Sequence, residues 1–238
     1  MSLRRHPFTS QRERNTYIRE HAQRIASTVT VPAGLAPIPV AVVPANTRET
    51  EALPERTRRI FLDRLHSILG RVFATVPTDG AMPTAEATAA LADAYPDPNA
   101  STAATDLEAI LGRSCATCRG ECCTAGGDHA FLREDSLLRV HGQDDSLDQS
   151  ALLASYASYL PVRHYRGSCV YHTTDGCALP RAMRSNLCNR YICGGLTQLK
   201  SALQESGSAR AFVGAADSVH LRRLALIDAH DATPIALG

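Results

Sequence analysis

Eight cysteines fall into two clusters, and thiols at these spacings are suited to holding metal ions. Cys115, Cys118, Cys122 and Cys123 form C-x2-C-x3-C-C, and Cys169, Cys177, Cys188 and Cys193 form C-x7-C-x10-C-x4-C. No cysteine lies elsewhere in the chain. A C-x2-C turn lets two sulfurs converge on one ion while backbone amides hydrogen-bond them, as in zinc knuckles and iron–sulfur loops. Four thiolates complete a tetrahedral zinc site or hold one cluster, so the set suffices for two sites. Cys122 and Cys123 are adjacent and point in different directions in any regular backbone. They serve two sites or share one, and spacing does not decide between these. Small core hydrophobes would be scattered rather than clustered.

The surroundings of the second cluster are basic: Arg163, Arg166, Arg181, Arg184 and Arg190 stand against a single acid, Asp175. A zinc ion with four thiolates carries a formal charge near −2, which nearby guanidiniums offset while lowering thiol pKa. His129 and His172 lie close to the cysteines in sequence, but a histidine in a turn is read as solvated rather than as a ligand. The whole chain has 25 basic and 24 acidic residues, which gives no general argument for nucleic acid or an anionic membrane. Few aromatics are present for stacking, so a nucleic-acid surface is disfavoured.

Several elements must carry these cysteines. The expected fold class is α+β and mostly helical, with a small metal-stapled, cysteine-rich domain containing a short β-hairpin. Residues 1–75 read as a helical region with a proline-rich extended break, 76–104 as an Ala/Pro/Thr linker, 105–200 as the cysteine-cluster domain and 201–238 as a helical tail. Ser10 and Glu13 have capping-box spacing, followed by a stripe of Ile18, Ala22 and Ile25. Phe61, Leu65, Ile68, Leu69 and Val72 form a stronger stripe. The stretch "VPAGLAPIPVAVVPA" carries Pro32, Pro37, Pro39 and Pro44, which exclude a continuous helix and favour extended chain. Within the linker, "AEATAALADAY" reads as one short helix.

Thr105 and Glu108 open another capped helix, which Gly112 is expected to end, so that Cys115 follows just beyond it. "DHAFLREDSLLRVHG" reads as a short strand and then a helix, and "SALLASYASYL" as a helix ending before Pro161. "SCVYHTTDGCAL" alternates around Asp175-Gly176, a hairpin signal. Pro180 is placed to begin a helix running through "RAMRSNLCNRYIC" and stopping at Gly194-Gly195. "LTQLKSALQES" and "SVHLRRLALIDAH" both read as helices.

No apolar run reaches the length of a membrane span. The proline-rich stretch lies far behind a charged opening and makes a poor secretory h-region. The opening "MSLRRHPFTSQRER" is Arg-rich, as transit peptides are, but its capping box favours a solvated helix start. The expected location is therefore cytoplasmic. A disulfide framework is disfavoured there, and such frameworks belong mostly to short secreted chains.

The two clusters resemble the YkgJ-type cysteine-cluster (CxxCxxxCC) family, described as zinc- or iron-chelating. The likeness runs through "CATCRGECC" and "AFLREDSLLRV" and resumes at "GSCVYHTTDGCALPRAMRSNLCNRYIC". Gly167 with Cys169, Gly176 with Cys177, Arg184, and Cys188 with Cys193 fall on the family's positions. Ser185 stands where the family often has proline, and the gap from Cys177 to Cys188 is one residue longer. The resemblance covers about residues 112–196. It implies that all eight cysteines are metal ligands and that the metal is iron–sulfur or zinc, with iron–sulfur slightly preferred. The expected role is redox, sensing or protein modification, with a protein substrate as the implied partner.

The same family includes flagellin lysine N-methylases, which makes a protein methyltransferase-like enzyme an alternative. The glycine pairs at 126–127 and 194–195 do not form a nucleotide-cofactor loop, and no catalytic triad spacing stands out. The ferredoxin run C-x2-C-x2-C-x3-C-P is absent, so simple electron carriage by that fold is not supported. A zinc-stapled interaction or nucleic-acid-binding module is the remaining alternative.

Overall fold

The computed structural model describes residues 10–29, 37–75 and 105–237. The expected linker over 76–104, with its short helix, lies outside the described residues, as do residues 30–36 of the proline stretch. Contacts divide the chain into two interleaved units. Among the described residues, one takes 10–29, 37–47, 105–121 and 192–237, and the other takes 48–75 and 122–191. These units run across the linear division expected from composition.

The first unit is built on a four-stranded mixed sheet. Its strands are β1 (Val40–Pro44), β6 (Arg210–Asp217), β7 (His220–Asp228) and β8 (Ala232–Pro234), in the order β1-β6-β7-β8. β1 runs parallel to β6, Val40 facing Phe212, and the other pairs are antiparallel. Successive side chains of β6 point to opposite faces, and both faces are buried. Phe212 and Ala216 pack with Ile18 and Ala22 of α1 (Gln11–Ala26). Ala211, Val213 and Ala215 pack with Ile110 of α3 (Asp106–Cys118) and Leu196, Leu199 and Leu203 of α7 (Gly194–Ser206). The Ser10–Glu13 and Thr105–Glu108 capping boxes both form.

The second unit contains the helices α2 (Glu55–Thr75), α4 (Glu134–His141), α5 (Gln149–Ser158) and α6 (Asn186–Arg190). It also has two small antiparallel pairs, β2 (Thr50–Ala52) with β3 (Arg163–Tyr165) and β4 (His172–Thr173) with β5 (Gly176–Cys177). The α2 stripe of Phe61, Leu65, Ile68, Leu69 and Val72 enters one core with Leu137, Leu152, Tyr156, Val170 and Tyr171. Phe61 and Tyr171 meet edge to face at 5.2 Å, a favoured aromatic geometry. The Tyr171 hydroxyl donates to the Tyr156 carbonyl, and the Tyr156 hydroxyl donates to the Met183 carbonyl, each at 2.8 Å.

The α+β class holds, but helix takes about half of the described residues rather than most of them. Four local expectations are corrected. "SVHLRRLALIDAH" contains β7, not a helix, and most of the tail beyond α7 is sheet. α3 passes through Gly112 and ends at Cys118, because a helix tolerates glycine where nothing else competes for the turn. "HAFL" is a turn, with Ala130 and Phe131 both in the left-handed region. The helix expected from Pro180 to Cys193 is broken into a short 3-10 turn, Arg181–Met183, and α6, which Ser185 caps.

Gly194 and Gly195 begin α7 instead of ending its predecessor. A side chain on Gly195 would overlap the Val42 carbonyl of β1, so glycine there lets the start of α7 lie directly on the strand. Gly195→Ala is expected to destabilise the protein by about 1–3 kcal/mol. The measurement is the urea midpoint, and an unchanged midpoint would show that α7 can shift off β1.

Candidate metal centre

The eight predicted ligands divide between the units: Cys115, Cys118 and Cys193 belong to the first, and Cys122, Cys123, Cys169, Cys177 and Cys188 to the second. None is in a disulfide among the described residues.

In the first unit, Cys115 and Cys118 occupy the last turn of α3, with Cys115 exposed and Cys118 buried. Arg119 follows in the left-handed conformation, and the Glu121 amide donates to the Cys118 Sγ at 3.2 Å. The helix end leaves carbonyls without intrahelical donors. Arg223 of β7 supplies them, its Nε donating to the Thr117 carbonyl at 2.8 Å and its Nη2 to the Cys118 carbonyl at 3.1 Å. Asn46 adds its backbone N–H to the Cys118 carbonyl and its side-chain amide to the Arg119 carbonyl. Cys193 is the N-cap residue of α7 and packs against the same apolar core as Cys118.

In the second unit, five thiols share one neighbourhood. Cys122 and Cys123 stand in a 3-10 turn, Glu121–Gly126, and the Cys123 carbonyl accepts from the Cys169 amide at 3.1 Å. Cys177 lies on β5 and Cys188 on α6. The Cys123 thiol is pushed far up in pKa, first by its hydrogen bond with Cys122, then by burial and by the nearby Cys169 and Cys177. Burial, with Cys177 and Cys188 nearby, pushes Cys169 up to about 12. Partial desolvation raises Cys188, assisted by Cys177 and Cys122 and opposed by Ser185 and Arg184. Neighbouring sulfurs therefore disfavour ionisation of Cys123, Cys169 and Cys188. That is the electrostatic condition a bound cation would reverse.

The packing around this neighbourhood is tight. A side chain on Gly126 would come within 2.9 Å of the Cys169 Cβ and 3.2 Å of its Sγ. Ala130 and Phe131 next to it hold left-handed backbone at φ 48° and 55°, unusual for a bulky residue. The Phe131 amide donates to Nδ1 of His129 at 3.0 Å, which helps fix that turn. His172 is buried with its Nδ1 2.8 Å from the Ser168 hydroxyl.

Arg139 of α4 holds the segment between Cys177 and Cys188. Its guanidinium donates to the Asn186 side-chain carbonyl and the Ala182 carbonyl at 2.7 Å, and to the Arg184 carbonyl at 2.6 Å. The Arg184 Nε donates to the Leu179 carbonyl at 3.0 Å, and the Ser185 hydroxyl accepts from the Cys188 amide. Of the five arginines counted in the sequence, Arg184 opposes the upward shift of Cys188. Arg163 bonds Thr50, and Arg166 pairs with Glu51 at 2.9 Å. Arg139, Arg223 and Asn46 were not singled out by sequence; single polar residues on otherwise ordinary elements carry no spacing signal.

The donor set fits a thiophilic metal in its chemistry, but as placed the thiols are neighbours without a closed coordination sphere. Among the described residues, no three or more His, Cys, Asp or Glu side chains are gathered into a group that could hold an ion. No helix among the described residues is long and apolar enough to cross a membrane. No family model, curated protein or solved structure matches the chain.

Arg139→Gln is expected to lower stability by on the order of 2–4 kcal/mol, since it removes donors from the Ala182 and Arg184 carbonyls and the Asn186 side-chain oxygen. Thermal melting checks this. Because burial raises the Cys169 pKa from 9.0 to about 12, the stability gained by keeping that thiol protonated is complete below pH 9.0. It is lost as pH rises toward 12. Urea midpoints of metal-free protein should therefore fall between about pH 9 and about pH 11, and a flat profile would contradict this assignment.

Proposed function

We propose that the protein binds a thiophilic metal and that Cys122, Cys123, Cys169, Cys177 and Cys188 supply one metal centre. The observation that carries this is that thiols from four places in one unit, Cys122–Cys123, Cys169, Cys177 and Cys188, lie close enough to act on one another, with the Cys169 amide donating to the Cys123 carbonyl. Four thiolates satisfy a tetrahedral zinc or one iron–sulfur cluster, so one of the five is spare. The resemblance to the YkgJ-type family supports the iron–sulfur form over zinc, in a redox, sensing or protein-modification role. Cys115, Cys118 and Cys193 are a separate set on the first unit, too few for a closed four-thiolate site by themselves.

Binding would draw the thiols together and release a proton from each one that ligates, because burial and mutual repulsion keep Cys123 and Cys169 protonated at neutral pH. Arg139 and Arg184 keep the backbone around Cys177 and Cys188 in place while this happens.

Elemental analysis and a visible spectrum of anaerobically purified protein test the reading. Iron with thiolate-to-iron absorption, or stoichiometric zinc, is expected. Protein with neither metal, which also takes up neither on reconstitution, would refute it. Cys169→Ser should lose most of the metal, whereas Cys115→Ser should keep it, with metal content per chain as the readout. Equal loss in both variants would overturn the assignment of the centre to the second unit.

A further inference from the structure

A second feature of the 48–75 and 122–191 unit is unrelated to its thiols. Along α2, Arg64, Ser67, Ile68 and Arg71 recur at spacings of three, one and three residues, which places them on one face. This face and the chain from Leu132 to Asp135 line an open groove of about 550 Å³. Ile68 and Leu132 are buried, and the polar groups lie around them. The volume falls in the range of small-molecule sites.

The donors in this groove exceed what the protein itself uses. Arg71 is fixed in place, its Nε donating to Glu134 at 2.6 Å and its Nη1 to the Ser67 carbonyl and hydroxyl at 3.2 and 3.1 Å. Ser67 Oγ accepts that bond, so its own hydrogen is left to donate. The Nη2 of Arg71 makes no hydrogen bond among the described residues. Arg64 and Arg133 make no side-chain hydrogen bond or ion pair among the described residues, and both are exposed. The two carboxylates present are already occupied: Glu134 by Arg71, and Asp135 by the Ser136 amide and hydroxyl at 2.7 and 3.3 Å. Three guanidiniums against two committed carboxylates leave a positive groove with unspent donors.

We infer that this groove binds the phosphate group of a small molecule, with Arg64 and Arg133 as the unpaired guanidiniums that grip it. A carboxylate has two oxygens and is satisfied by one guanidinium fork. Two separate guanidiniums, the remaining nitrogen of Arg71 and the Ser67 hydroxyl match an anion with three terminal oxygens. Ile68 and Leu132 form an apolar floor for the organic part of the ligand. The inference does not depend on the metal centre, since no groove residue is a cysteine or bonds to one.

Titration calorimetry on the full-length chain tests it, with phenyl phosphate as the probe and benzoate as the carboxylate control. Saturable binding of phenyl phosphate is expected, at least about tenfold tighter than benzoate and weakened by added salt. The R64Q/R133Q double variant should lose about tenfold or more in phenyl phosphate affinity, because charge-assisted bonds are removed from the anion. Both side chains are exposed, so the far-ultraviolet circular dichroism and melting temperature should be unchanged. If the double variant does melt lower, the single variants R64Q and R133Q decide, each expected to bind several-fold more weakly. Absence of saturable binding, benzoate binding as tightly as phenyl phosphate, or unchanged affinity in the variants would each overturn the inference.

Discussion

Backbone carbonyls near the cysteines need donors that their own elements do not provide, and arginine side chains supply them in both units. α3 ends in the turn that carries Cys115 and Cys118, and Arg223 reaches from β7 to the carbonyls of Thr117 and Cys118. The chain from Cys177 to Cys188 contains only a two-residue strand, a 3-10 turn and a short helix, so few of its carbonyls are paired by regular structure. Arg139 and Arg184 take up those at Cys177, Leu179, Ala182 and Arg184. A buried carbonyl without a donor costs on the order of 1–3 kcal/mol, so these guanidiniums decide whether irregular chain can stay ordered beside reactive sulfur.

That arrangement separates two tasks in the second unit. The apolar core of α2, α4 and α5 fixes Cys169 through its neighbours Val170 and Tyr171, which are fully buried. Cys177 stands on β5 and Cys188, still exposed, on α6, with arginine hydrogen bonds holding the chain between them. In the proposed metal centre, Cys169 would be held from the core side while Cys188 stays at the surface. The strained turn at Ala130 and Phe131 lies at the core side, against Gly126 and Cys169.

Helices with a strong apolar stripe were legible in the sequence: in α1 the stripe from Ile18 agrees with the Ser10–Glu13 cap, and in α2 the stripe of Phe61 through Val72 stands by itself. A hairpin was expected around Asp175-Gly176 and forms as β4–β5, but Thr173 pairs with Gly176, so the loop is Thr174-Asp175 and Gly176, at φ 103°, opens β5. β7 was misread as a helix for a physical reason. Its register with β6 shifts between Ala215 and Ala216, so Arg222 has no partner position between the Leu221 and Arg223 pairs. The bulge puts Leu221 and Leu224 on the same face, three residues apart, which imitates helical spacing. It also turns Arg223 toward α3. The cysteines stood out as a set by type and clustering, while their division between two units depends on how distant segments fold together and leaves no trace in spacing.

The prolines of the first unit have a further effect on the open sides of its sheet. β1 is an edge strand bracketed by Pro39 and Pro44, and β8, the opposite edge, is three residues long and ends in Pro234. Proline offers no N–H, and so short a strand offers few pairing groups of any kind. Both margins are therefore poor templates for an incoming strand. For a protein with eight cysteines outside disulfides this has a consequence, since chains that cannot stack edge to edge are less prone to be held together long enough for sulfurs of different molecules to cross-link.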